Sequence, residues 1–246
     1  MSALLLSGLV VFVTHTLEAI TGFGCAVLAM PFVSALLGVH MAVKVITFLA
    51  WLLALYLVVK NYKQIDWKQY AIITGCMLLG LPVGMYLFRT QQSDTLNLML
   101  ALFIIIVSLS QLWRSARGGA PRAPLTKKTA LPYYLLLVAG GVIHGIFSSG
   151  GPLVVLYATR TLLDKGRFRA TLCLLWTTLN TIILATYFIE GSVTKDVAVS
   201  TGLLIPFVVA GIIVGERIHN KVDQKKFTLI VFSMLLLTGV FMLISR

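Results

Sequence analysis

The stretch "GIFSSGGPLVVLYATR", Gly145 to Arg160, sets Ser148, Ser149, Gly150, Gly151 and Pro152 side by side in an otherwise apolar region. Serine hydroxyls in front of a helix with proline in its first turn describe an anion site. The free N–H groups and the positive end of the helix dipole face the ligand, and no charged side chain is needed. A related stretch, "TGFGCAVLAMP", places Thr21, Gly22, Phe23 and Gly24 ahead of another apolar run, with Thr21 as a further hydroxyl donor. The alternative for both is a small-residue packing break without a ligand. Packing alone does not require adjacent Gly-Gly-Pro.

Titratable residues stand close to both motifs. His15, Glu18 and Gly22 follow at i, i+3 and i+7 on one helical face, and His144 lies shortly before Gly150. A buried carboxylate near an imidazole suits proton relay, because burial disfavours the charged form of each. A hydrogen-bonded structural pair is the alternative. Lys44 and Trp51 share one face two turns apart, and Arg169 and Trp176 repeat that spacing. Two such faces would bring cations to both approaches of an anion site, unless the cations snorkel to the interface. Asn180, one turn beyond Trp176, adds a neutral polar contact. Glu190, Asp196, Glu216 and Asp223 fall at segment ends or in loops and read as solvated. Cys25, Cys76 and Cys173 lie within apolar segments without paired spacing and read as small core fillers.

The elements that must position these residues are membrane helices. Hydrophobic residues make up 59% of the chain and charged residues 11%, well below the charged share of soluble domains. Apolar segments recur at 3–21, 22–38, 40–59, 69–88, 95–113, 131–148, 151–163, 170–189, 197–215 and 227–245. The first lacks a basic leader and a cleavage site, so it reads as a retained helix. The net charge of +12 reports topology rather than nucleic acid, because sixteen of the twenty Lys and Arg residues flank alternate loops. Only Lys44, Arg89, Lys195 and Arg246 lie toward the other side. The positive-inside rule then places both termini outside the cytoplasm.

The polar linker "SARGGAPRAPLTKKT", Ser115 to Thr129, divides the chain into 1–114 and 131–246, joined by a cytoplasmic connection over 115–130. The halves repeat three features in the same order: the Gly-rich break, the cation–tryptophan pair, and a small-xxx-small pair, Gly80/Gly84 and Gly211/Gly215. Residues 3–38 as one helix would be about 54 Å long, against roughly 30 Å of hydrocarbon, so this stretch must turn back. Each half then crosses three or five times, an odd number, and the second half is inverted relative to the first. The expected fold is an all-α polytopic membrane protein. It has two inverted repeats of about five helical segments each, with Gly-broken or re-entrant helices meeting at a central site.

"TGFGCAVLAMP" and "HGIFSSGGPLVVLY", with "FRATLCLLW" and "LLIPFVVAGIIVGERIH" downstream, resemble the sulfite exporter TauE/SafE family over nearly the whole chain. The resemblance implies a permease of the bacterial inner membrane that moves a small sulfur-containing anion, such as sulfite or an organosulfonate. With the motifs above it leads to a secondary transporter, proton-coupled and working by alternating access. The substrate set is Thr21, Gly22, Phe23, Gly24, Lys44, Trp51, Ser148, Ser149, Gly150, Gly151, Pro152, Arg169, Trp176 and Asn180. The proton-coupling set is His15, Glu18 and His144. No catalytic residue, metal or other cofactor is expected, and the partners are the anion and the lipid bilayer, with a homodimer left open. A passive anion channel would use the same donors. A rhomboid-type hydrolase is disfavoured, because Phe147 stands where its Gly-x-Ser-Gly stretch needs glycine.

Overall fold

The computed structural model describes residues 2–116, 127–218 and 224–244. Its order is α1 (Ser2–Thr21), α2 (Cys25–Leu37), α3 (Val39–Asn61), α4 (Trp67–Thr90) and α5 (Ser93–Ala116), then α6 (Lys127–Phe147), α7 (Gly151–Thr161), α8 (Lys165–Ile189), α9 (Lys195–Ile218) and α10 (Gln224–Ile244). The described residues contain no strand, and seven of the helices are long and apolar enough to cross a membrane. The molecule is a polytopic helical membrane protein. Most of the inter-half linker lies outside the described residues.

Local chemistry sets the helix boundaries. The Asp66 carboxylate accepts from Gln69 N at 3.0 Å to open α4, and Asp164 accepts from Arg167 N at 2.8 Å to open α8. Leu5, Leu6, Leu9 and Val13 on α1, with Leu79 and Val83 on α4, are more than half exposed in the isolated chain. Such apolar faces suit contact with lipid.

The connections show which helix ends share a face of the bundle. The start of α3 lies beside the α8–α9 connection, where Lys44 Nζ donates to Ser192 O at 3.1 Å. Arg89 at the end of α4 pairs with Glu190 at the end of α8 on that same face. On the opposite face, Lys60 and Arg169 meet Glu216, joining the end of α3, the start of α8 and the end of α9.

Small residues bring two helix pairs into backbone contact. A Cβ at Gly211 would stand 3.0 Å from Phe12 O, and one at Gly215 would stand 2.6 Å from Thr16 O, so α9 lies flush against α1. Gly80 and Gly84 of α4 meet Val138 and Val142 of α6 in the same way. One offset along the chain carries Phe12 to Val138 and Thr16 to Val142. The remaining close pairs include α3 with α8 and α5 with α10.

These contacts run in the same sense along both partners, so α1 is parallel to α9 and α6 is parallel to α4. The short helices α2 and α7 fold back on α1 and α6. At 13 and 11 residues they extend only about 20 and 16 Å, too short to span a bilayer. Each pair is therefore a hairpin with its turn inside the protein, α1–α2 entering from one face and α6–α7 from the other. Segments 22–38 and 151–163 are thus half-helices.

Candidate anion site between the two hairpin turns

Each hairpin turns through backbone that breaks the helix. Gly22 has φ 84° and Gly24 φ 109° in the first turn, and Ser148 has φ 52° in the second. Ser148 is the sole non-glycine among the described residues in that region. The turns also share their closing bonds: Gly22 N donates to Glu18 O and Ser148 N to His144 O, both at 2.7 Å. Glu18 and His144 thus occupy equivalent positions, each seven residues before the first residue of the short helix that follows.

The turns converge on a buried cavity of about 20 Å³. That is room for a water molecule, and a sulfur oxyanion needs the lining to part. Glu18, Gly24 and Cys25 contribute from the first hairpin, and His144, Ser148, Ser149, Gly151 and Pro152 from the second. Trp176 and Asn180 of α8 and Ala50 of α3 complete much of the rest. Two polar groups in the second hairpin are available to a ligand. Gly151 N–H, in the first turn of α7, has no intrahelical acceptor, and among the described residues no backbone bond is made by it. His144 is 1% exposed, yet its Nδ1 has no hydrogen-bond partner.

A fixed scaffold holds these groups. His144 Nε2–H donates to Asn180 Oδ1 at 3.0 Å, and the imidazole stacks on Trp176 with centroids 5.4 Å apart. Trp176 Nε1–H donates to Gly22 O at 3.0 Å, tying the α8 face to the opposite hairpin. Ser148 Oγ shares a 2.5 Å hydrogen bond with Thr47 Oγ1 of α3, and Ser149 Oγ donates to Phe147 O at 2.8 Å. Both hydroxyls therefore have internal partners, and a ligand must compete for them.

Other residues of the expected set shape the turns without lining the cavity. Thr21 Oγ1 bonds within its own turn, to Leu17 O and Phe23 O at 2.8 Å each. Gly22 admits α8, since a Cβ there would lie 2.9 Å from Arg169 Cα. Phe23 packs edge-on against Phe168 and beside Gly151. Gly150 lets its turn approach α6, since a Cβ there would stand 3.0 Å from His144 Cβ.

The structure does not bring the expected cations to the cavity. Lys44 sits over the Tyr187 ring, 5.9 Å from its centroid, and bonds the α8–α9 connection. Arg169 is buried, but its Nη2 donates to Glu216 Oε1 at 2.8 Å. Trp51 bonds Thr181 rather than facing the turns. His15 is buried on α1, with Nδ1 against Val11 O at 2.9 Å, and does not line the cavity beside Glu18.

Two acids differ from the solvated reading. Glu216 and Glu190 hold ion pairs at opposite faces, because helices distant in sequence bring cations to them. Asp196 is exposed, and Asp223 lies outside the described residues. Cys25 and Cys173 are free and buried, Cys76 is half-buried and free, and Cys25 also lines the cavity. What sequence reasoning missed is the bond from Cys25 N to Glu18 Oε2, 2.7 Å long. Its signal was the seven-residue spacing from Glu18 to the start of α2.

The family model described as sulfite exporter TauE/SafE matches residues 7–242. The chain belongs to that family. It is 24% identical over 166 residues to a protein of Comamonas testosteroni named probable inner membrane transporter protein TsaS, covering 66% of each chain. It is 22% identical over 156 residues to a probable sulfite/organosulfonate exporter TauE of Cupriavidus necator, covering 63% of this chain and 59% of that one. The matched stretches thus span less than two thirds of either relative's length. No solved structure matches the chain.

Proposed function

We propose that this protein is a secondary permease that carries sulfite or an organosulfonate across the bacterial inner membrane, coupled to protons, by alternating access. The observation that carries this reading is the meeting of two hairpin turns from opposite faces around one cavity, with the Gly151 N–H on its wall. Non-helical backbone at membrane depth is tolerated where it is enclosed by protein or lines a cavity. Anions bind at helix starts of this kind. The name of the Cupriavidus necator relative supports the substrate class, and that of the Comamonas testosteroni relative supports a transporter of the inner membrane.

The repeated turn bonds and the shared offset of the α1–α9 and α6–α4 contacts support inverted repeats over 1–114 and 131–246. The charge asymmetry of the loops supports a cytoplasmic 115–130 linker and extracytoplasmic termini. A carrier fits better than a channel, because ion pairs tie the helices at both faces and the cavity between them is small. A hydrolase fits poorly: Ser148, Ser149 and His144 Nε2 are each bonded to another partner.

Flux into proteoliposomes tests the proposal. With the membrane potential clamped by potassium and valinomycin, a pH jump is expected to drive transient accumulation of labelled sulfite above equilibrium. Equilibration without accumulation would overturn proton-coupled carriage.

A further inference from the structure

The start of α2 already holds an anionic group of the protein's own. Glu18 Oε2 accepts the Cys25 N–H at 2.7 Å, in the first turn of α2, and Glu18 lines the same cavity as Gly151 and His144. Glu18 is 3% exposed, and no lysine or arginine lines that cavity among the described residues. The equivalent start of α7 has no side-chain cap.

We infer that the Glu18 carboxylate is a tethered competitor of the substrate anion, so each anion enters the cavity only as Glu18 takes up a proton. This rests on the anion-permease reading and assigns one residue the coupling step. Two negative charges in a cavity this small repel strongly, and removal from water leaves little to screen them. Proton uptake converts the carboxylate to a neutral acid, weakens its hold on the Cys25 N–H and leaves that donor to the entering anion. The neutral acid can itself donate a hydrogen bond to an anion oxygen. The proton comes from water on the open side, and its release on the other side restores the plug. Anion and proton therefore move together in the same direction.

The groups packed around Glu18 leave it as the acid of this site. Cys25 follows on α2, His144 faces the same cavity from α6, and Cys173 is the thiol neighbour on α8. His15, on the preceding turn of α1, bonds Val11 O and Thr14. The Arg169 stem packs on Gly22, while its guanidinium bonds Glu216 of α9, which Lys60 of α3 also pairs.

Methanesulfonate is the suitable probe, because it stays ionised throughout the working pH range and any proton taken up belongs to the protein. Binding to the intact protein in detergent, followed by calorimetry in buffers of different ionisation enthalpy above the pH at which Glu18 ionises, is expected to take up about one proton per anion. Affinity is expected to fall about ten-fold per pH unit above the pH at which Glu18 ionises, the slope of one linked proton. Glu18→Gln should abolish both the uptake and the slope, and bind more tightly than the parent at high pH. Methanesulfonate binding by the parent without proton uptake would overturn the inference while leaving an anion site in place. Persistence of the slope in Glu18→Gln would overturn it in favour of another group. Failure of the parent to bind methanesulfonate or sulfite would overturn the anion reading and this inference together. The uptake measurement needs only the parent protein, so it decides the matter even if the variant misfolds.

Discussion

At the residue scale, backbone groups and neutral side chains make up most of the cavity wall, and Glu18 is the formal charge among them. Gly151 is the most sensitive position. A Cβ there would meet Phe23 at 3.7 Å and Trp176 at 3.8 Å, ordinary contacts that leave the backbone undisturbed. Gly151→Leu, its fold checked by thermal unfolding, should fill the cavity and weaken methanesulfonate binding by ten-fold or more, about 1.4 kcal/mol. Lys44→Gln should bind like the parent, because its ammonium serves the α8–α9 connection. Calorimetry on both variants checks this. A Gly151→Leu protein with parental affinity would remove the anion from the second turn.

At the element scale, the ten α-helices among the described residues fall where apolar periodicity and length place them, and the half-helices begin directly after their glycine-containing turns. These features were legible because bilayer thickness and glycine chemistry act locally along the chain. The destinations of Lys44, Arg169 and Glu216 were not. Each is decided by which helices become neighbours, and no spacing within one helix records that Arg169 will meet Glu216 of α9. Glu18 lies between these cases, since its distance from α2 is local but the fold-back of the hairpin is tertiary.

The same contrast gives a stability prediction. Gly84 lies against the α6 backbone, with 2.9 Å between its notional Cβ and Gly145 Cα, whereas a Cβ at Gly75 of α4 meets nothing within 4 Å. Overpacking costs typically 1–3 kcal/mol, so Gly84→Ile should lower the thermal midpoint by about 5 °C. Gly75→Ile should leave it nearly unchanged. Equal midpoints for the two variants, read by thermal unfolding in detergent, would contradict the close α4–α6 packing.

At the scale of the whole molecule, both faces carry ion pairs that tie together the ends of long helices. The Lys60–Glu216–Arg169 cluster stands at one face and Arg89–Glu190 at the other, both held by α8. Since Trp176 and Asn180 lie along the middle of α8, a tilt of this helix would open one face while the other stays shut. Orientation is read first. In a variant lacking Cys25, Cys76 and Cys173, a cysteine replacing the exposed Thr194 should react with an impermeant maleimide added outside intact cells. The most direct test of the central claim uses Ser149→Cys in the same background. A shared anion site with alternating access predicts that this thiol reacts with small impermeant reagents in both right-side-out and inside-out vesicles, and that methanesulfonate protects it from either side. Reaction from one side alone, or reaction that methanesulfonate leaves unchanged, would contradict an anion site shared by the two hairpins.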